Sequence, residues 1–195
     1  MTIINPKKLK AYDNLLLRLN DVQLLLISYS KIQGPGFRST TGALYRAVIV
    51  LLCAQLEAFI EELYSESAHL LLDDYILDTQ ALINQALSSF SNPQPYRINR
   101  LFATIGFSDI INLVSWQGTN AKSITKKLSD YVELRNAIAH GKKERIIKDK
   151  VYKFVWFVKL FAKSLQEWVN SLSVISDLGL PGRRSQQNIK NKGAG

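Results

Sequence analysis

The sequence predicts an all-α fold, an antiparallel helical bundle, on three observations. Apolar residues recur at helical spacing through several long segments, no stretch alternates apolar and polar residues with the β-branched enrichment of a strand, and glycine or proline divides the chain into helix-sized pieces. No internal repeat is present, so the helices are expected to share one core rather than to stack as a solenoid.

The first helix is expected from Lys8 to Ile32, where Leu9, Leu15, Leu16, Leu19, Leu24, Leu25 and Leu26 alternate with Asp13, Arg18, Asn20, Asp21 and Gln23. Gly34, Pro35 and Gly36 end it, because proline has no amide proton and glycine adds chain entropy. A longer helix should start near Thr40 or Thr41, either of which offers a capping hydroxyl, and run to Leu72. Its middle is apolar on every side and so belongs at the centre of the bundle. Glu57 is then an acid near buried territory and needs a partner, in a structural or site-supporting role. Cys53 is the single cysteine, has no intramolecular disulfide partner, and reads as a core thiol with nothing nearby to stabilise a thiolate. It lies in the longest wholly apolar run, Ala47 to Ala54, which is far shorter than the roughly 20 residues a bilayer requires. No membrane span is therefore expected.

A short third helix over 78–90 has Asp78 as its cap, and the Asn92 to Pro95 segment interrupts it. Residues 96–123 read as two short helices around Gly106, with Ser108 capping the second. A further helix from Ser123 to His140 stops at Gly141, the usual residue type after a helix end. The last helix, Glu144 to Val174, carries Val151, Phe154, Val155, Val158, Phe161, Leu165 and Trp168 on one face. The expected organisation is one helical domain over 1–176 and a basic, disordered tail over 177–195 that includes Arg183, Arg184, Lys190 and Lys192.

The net charge of +9 points to a polyanionic partner such as nucleic acid, and the charge stays positive when the four tail cations are set aside. The lysine-bearing opening segment lacks the apolar block of a signal peptide, which favours a cytoplasmic protein. Two distant histidines, one cysteine and no tight carboxylate cluster offer no metal-ligand set, and no cofactor is expected.

The chemistry-bearing residues lie where the fourth long helix ends. With about 100° per residue, Leu128, Tyr131, Val132, Leu134, Ile138 and Ala139 fall in one arc, and Arg135 lies near its centre. A guanidinium cannot shed its proton, so on an apolar face it needs an acid, a carbonyl cluster or a bound phosphate. His140 lies roughly 140° from Arg135, whereas Asn136 and His140 share a face, which suits Asn136 to orienting the imidazole. A symmetric dimer that sets two copies of this helix side by side would bring arginine and histidine into one site. Structural roles remain open: Arg135 pairing with Glu57, His140 favoured by the helix dipole, Asn136 facing solvent.

The run Arg135-Asn136-Ala137-Ile138-Ala139-His140 resembles the R-x4-H motif of HEPN domains of the prokaryotic RiboL-PSP-HEPN type, including the polar residue after the arginine. The similarity extends over roughly 8–175 in the order of helices around the motif. The resemblance implies a homodimer with a composite RNA-cleaving cleft and a metal-independent endoribonuclease with Arg135, Asn136 and His140 as catalytic residues. One histidine would activate the ribose 2′-hydroxyl for transesterification, the opposing one would protonate the leaving oxygen, and Arg135 would stabilise phosphoryl charge. Lys142, Lys143 and Arg145 follow the motif and suit RNA binding at the cleft entrance, or form a solvated basic turn. Tyr45, Arg46, Tyr96, Arg97 and Arg100 are further candidates for phosphate contacts or base stacking, and His69 reads as structural. The resemblance also implies a toxin or phage-defence effector with a cognate antitoxin or partner protein. The alternative is a non-catalytic HEPN module that binds RNA, a nucleotide or a protein.

Overall fold

The computed structural model describes residues 9–31, 38–72 and 77–177. Among them are six α-helices: α1 (Ala11–Lys31), α2 (Arg38–Leu72), α3 (Thr79–Ser88), α4 (Pro95–Ala103), α5 (Ala121–Ala139) and α6 (Lys148–Asp177). The fold is an all-α bundle, as the periodicity predicts. The expected break at residues 34–36 and the basic tail from residue 178 onward lie outside the described residues.

The bundle is organised by α2. Leu52, Leu56, Phe59, Ile60, Leu63 and Tyr64 are fully buried, and α1, α3, α4, α5 and α6 all pack against this helix. By length and composition, Thr40–Leu72 is apolar enough to cross a membrane, although its uninterrupted apolar run is short; here its buried face forms the centre of the core.

Polar contacts fix α1 antiparallel to α2. Glu66 of α2 accepts from the backbone N–H groups of Lys10 and Ala11 at 2.8 and 3.2 Å, satisfying donors that the start of α1 leaves free. Arg18 forms a two-pronged ion pair with Glu62, its shorter contact 2.6 Å. At the other end, the Tyr29 hydroxyl bonds the hydroxyls of Thr40 and Thr41 at 2.8 and 2.9 Å. Both threonines lie inside α2, which starts at Arg38, so they join two helices instead of capping one.

Asp78 caps α3 as expected, accepting from Ala81 N–H at 2.8 Å. Of the two short helices expected around Gly106, the first is α4 and the second departs from expectation. Pro95 opens α4 at its first turn, where a missing amide proton costs nothing. The second expected helix is only a 3₁₀ turn, Ile110–Leu113, followed by a bridged turn from Trp116 to Thr119. Side chains replace the helical ladder here: Asn99 accepts from Ile111 N–H at 3.0 Å and donates to Asp109 at 2.8 Å. Asp109, not Ser108, occupies the start of the 3₁₀ turn, and it makes no capping bond.

α5 begins at Ala121, two residues before the expected start, because Asn120 caps it by accepting from Ser123 N–H at 2.9 Å. α6 begins at Lys148, later than the expected Glu144, since the intervening chain is not helical and buries Ile146. Tyr131 of α5 stacks on Phe154 of α6, ring centres 3.8 Å apart.

Gln166, buried in α6, ties the chain start to the far side of the bundle: its amide accepts from Tyr12 N–H at 2.8 Å and donates to Leu9 C=O at 3.2 Å. Gln166→Leu keeps the volume and orphans both backbone groups. It is expected to cost about 1–3 kcal/mol, read from the urea unfolding midpoint.

Candidate functional site

The buried residues of α5 are Ile124, Leu128, Val132 and Leu134, and Arg135 continues this inward side half-buried. Its Nη1 donates to the Asn136 carboxamide oxygen at 3.0 Å. The same oxygen accepts from Asn92 Nδ2 at 3.3 Å, and Asn92 N–H donates to Glu57 Oε1 at 2.9 Å. A polar chain Glu57–Asn92–Asn136–Arg135 thus links α2, the α3–α4 connection and α5. Asn92 stands at φ 65°, the left-handed region that asparagine tolerates better than most residues. Its buried Oδ1 makes no hydrogen bond.

Of the roles left open for Arg135, pairing with Glu57 is not the one found: Glu57 accepts from a backbone N–H and forms no ion pair with the guanidinium. Among the described residues Arg135 therefore keeps N–H donors uncommitted, while Asn136 braces its position. Burial pushes the nearby Cys53 thiol up to about 12, with Arg135 opposing the shift and Glu57 adding to it. Cys53 is a core thiol and not a nucleophile.

His140 closes α5. Its backbone N–H bonds Asn136 C=O at 3.0 Å, while its side chain is exposed and, among the described residues, makes no hydrogen bond. Beyond it, Gly141 N–H bonds Ile138 C=O and Lys142 N–H bonds Ala137 C=O, both at 3.0 Å, the paired bonds of a Schellman stop. This needs the left-handed φ of 80° at Gly141, where an added Cβ would meet nothing within 4 Å, so the demand is conformational rather than steric. Among the described residues Asn136 makes no side-chain hydrogen bond to the imidazole, and its carboxamide oxygen serves Arg135 and Asn92.

Lys142, Lys143 and Arg145 are exposed on the segment after the stop. Arg46 of α2 holds that segment by donating to Glu144 C=O at 3.4 Å. Tyr96, Arg97 and Arg100 line a separate hollow of about 710 Å³, where Arg97 is committed to Ser91. Neither this hollow nor a larger one against α5 and α6 includes Arg135, Asn136 or His140. His69 is half-buried in the last turn of α2. Among the described residues no group of three or more His, Cys, Asp or Glu side chains is placed to hold a metal ion.

Asn92 is the site residue that sequence reasoning missed. Its place before Pro93 marks it as a chain breaker, and only the tolerance of asparagine for positive φ hints at more.

Two outcomes follow from this geometry. Asn92→Ala places a Cβ residue in the left-handed region and should be less stable than Asn92→Gly by about 1–2 kcal/mol in chemical denaturation. Native protein should resist alkylation at Cys53 and react once unfolded, because the buried thiol stays protonated well above neutral pH.

No curated protein and no solved structure is significantly similar to the chain. A family profile described as RiboL-PSP-HEPN matches residues 13–171, a span that reaches from α1 into α6 and contains Arg135, Asn136 and His140. The chain belongs to the RiboL-PSP-HEPN family, whose domains are broadly associated with RNA binding and nuclease activity.

Proposed function

We propose that the protein is a metal-independent endoribonuclease that acts as a homodimer through Arg135, Asn136 and His140. The observation that carries this reading is the state of Arg135: half-buried, braced by Asn136, and not consumed by Glu57. A fixed guanidinium with free donors is a phosphate-binding group. His140 supplies the other requirement, an exposed imidazole whose nitrogens are not engaged among the described residues.

The two groups point apart on one helix, so a composite site suits them better than a site within one chain. Pairing the ends of two α5 helices about a twofold axis gives two arginines and two histidines at one site. One imidazole removes the ribose 2′-hydroxyl proton as the 2′-oxygen attacks phosphorus. The bond from phosphorus to the 5′-oxygen breaks, and the partner's His140 returns a proton to that oxygen. Arg135 stabilises the charge on the non-bridging oxygens. The products are a 2′,3′-cyclic phosphate and a 5′-hydroxyl. Lys142, Lys143 and Arg145 would guide the backbone towards this cleft. The reading extends to a cytoplasmic toxin or phage-defence effector held in check by an antitoxin or partner protein.

A non-catalytic RNA-binding, nucleotide-binding or protein-binding module is the second reading. It draws on one observation: the Asn136 carboxamide oxygen is tied to Asn92 and Arg135 and leaves His140 unoriented in the single chain.

The test is incubation with a mixed RNA pool in excess EDTA, with fragment ends mapped. Wild type should leave cyclic-phosphate ends, and folded His140→Ala and Arg135→Ala variants should each lose activity by about 10² or more. Equal inactivity of all three proteins across many RNAs would favour the binding module; equal activity would dismiss this site.

A further inference from the structure

We propose that a hollow between the Trp116 turn, α5 and α6 binds a single-stranded stretch of the RNA substrate, away from the cleavage residues. This rests on the ribonuclease reading and adds where the substrate is gripped. The hollow has a volume of about 930 Å³ and is lined by Trp116, Tyr152, Trp156, Lys127, Lys150 and Lys153 among others.

Phe157 of its wall belongs to the core and Trp116 and Tyr131 pack against it, but two of its aromatic residues face solvent. Tyr152 and Trp156 are 47% and 65% exposed, and their four-residue spacing puts both on one face of α6. Trp116 is held in the opposite wall, edge-on to Phe157 at 5.9 Å, by a bridged turn that requires the positive φ of Gly118. Rings presented to solvent in a groove are stacking surfaces, and every base has a face to offer them.

The charge pattern selects the occupant. Lys153 is paired with Asp149 at 2.7 Å, and the one acid in the wall, Asp130, is paired with Lys126 at 2.9 Å. Among the described residues Lys127 and Lys150 make no ion pair, and they remain for phosphates. The Lys148 ammonium lies 5.6 Å from the Tyr152 ring centre, adding a further cation at the rim. A second copy of a +9 chain is a poor fit for a lysine-lined hollow, whereas a polyanion with flat bases satisfies both features. A duplex hides its base faces in the stack, so the groove favours unpaired RNA.

Position completes the argument. Tyr131 also lines the hollow, and His140 lies nine residues farther along the same helix, about 14 Å by helical rise. The nine-residue step also turns by about 180°, so a strand held in the hollow reaches His140 by passing around the end of α5, and the groove holds nucleotides some way from the scissile bond.

Two of the three tryptophans line the hollow, so intrinsic fluorescence reports occupancy directly. In a His140→Ala background that prevents cleavage, an unstructured RNA of about 12 nucleotides should quench the emission, and its duplex should not. Adding Trp156→Ala should weaken binding about tenfold. Lys150→Gln should lower the salt dependence by about one phosphate contact, near 0.7 in the logarithmic slope. In otherwise wild-type protein, Trp156→Ala should raise KM for a long RNA without changing kcat, and leave a substrate too short to reach the groove unaffected. If wild type cleaves RNA and Trp156→Ala neither weakens binding nor shifts KM, the groove assignment is overturned while the nuclease reading stands. If Trp156→Ala instead changes the sedimentation of the free protein, the hollow is a subunit interface and the proposal fails. Absence of both cleavage and RNA binding in wild type overturns both readings.

Discussion

A long helix with apolar residues all around its middle has one stable place in water, inside a sheath of other helices. α2 imposes that requirement, and the remaining helices are arranged to meet it, with α1 antiparallel and α5 and α6 packed alongside. The functional geometry follows from the same constraint. Covering α2 with α5 brings Arg135 into the neighbourhood of Cys53 and Glu57, and the α3–α4 connection crosses where Asn92 can reach both helices. Glu57 is then satisfied by a backbone donor. Had it taken Arg135 as an ion-pair partner, the guanidinium would have been a structural group with little left for a phosphate.

The arrangement separates two chemical duties. Arg135 is held in a half-buried position by a polar chain, which suits fixed recognition of a phosphate and a preorganised field. His140 stands at the helix end with a free imidazole, where proton exchange needs access. The Schellman stop at Gly141 turns the chain sharply after His140 and sends the basic segment away from α5. The chain's family is broadly associated with RNA binding and nuclease activity, and on the proposed reading the two groups share an RNA substrate.

What was legible in the sequence was what local rules determine. The central place of α2, the Asp78 cap and the Gly141 stop follow from composition and spacing within a few residues. That Arg135 and His140 lie at a helix end was visible in the sequence, and their roles rest on the proposed function. The segment after Gly106 was not legible, because Asn99 and Asp109 substitute side-chain bonds for a helical ladder, and which bonds they make depends on the packed core. Thr40 and Thr41 misled for a related reason: a hydroxyl that suits a cap also suits a bond to Tyr29 across a helix pair. Asn92 was hidden by its proline neighbour, and the aromatic hollow joins residues about 40 apart, beyond any periodicity.

The central claim is that a ribose hydroxyl, activated at this site, attacks the neighbouring phosphorus. It is tested most directly by mapping a preferred cleavage position and replacing the single 2′-hydroxyl there with hydrogen. The account predicts that cleavage at that linkage disappears while the all-ribose control is cut. Cleavage persisting at the deoxy linkage would contradict it, because the nucleophile would then be something other than the 2′-oxygen.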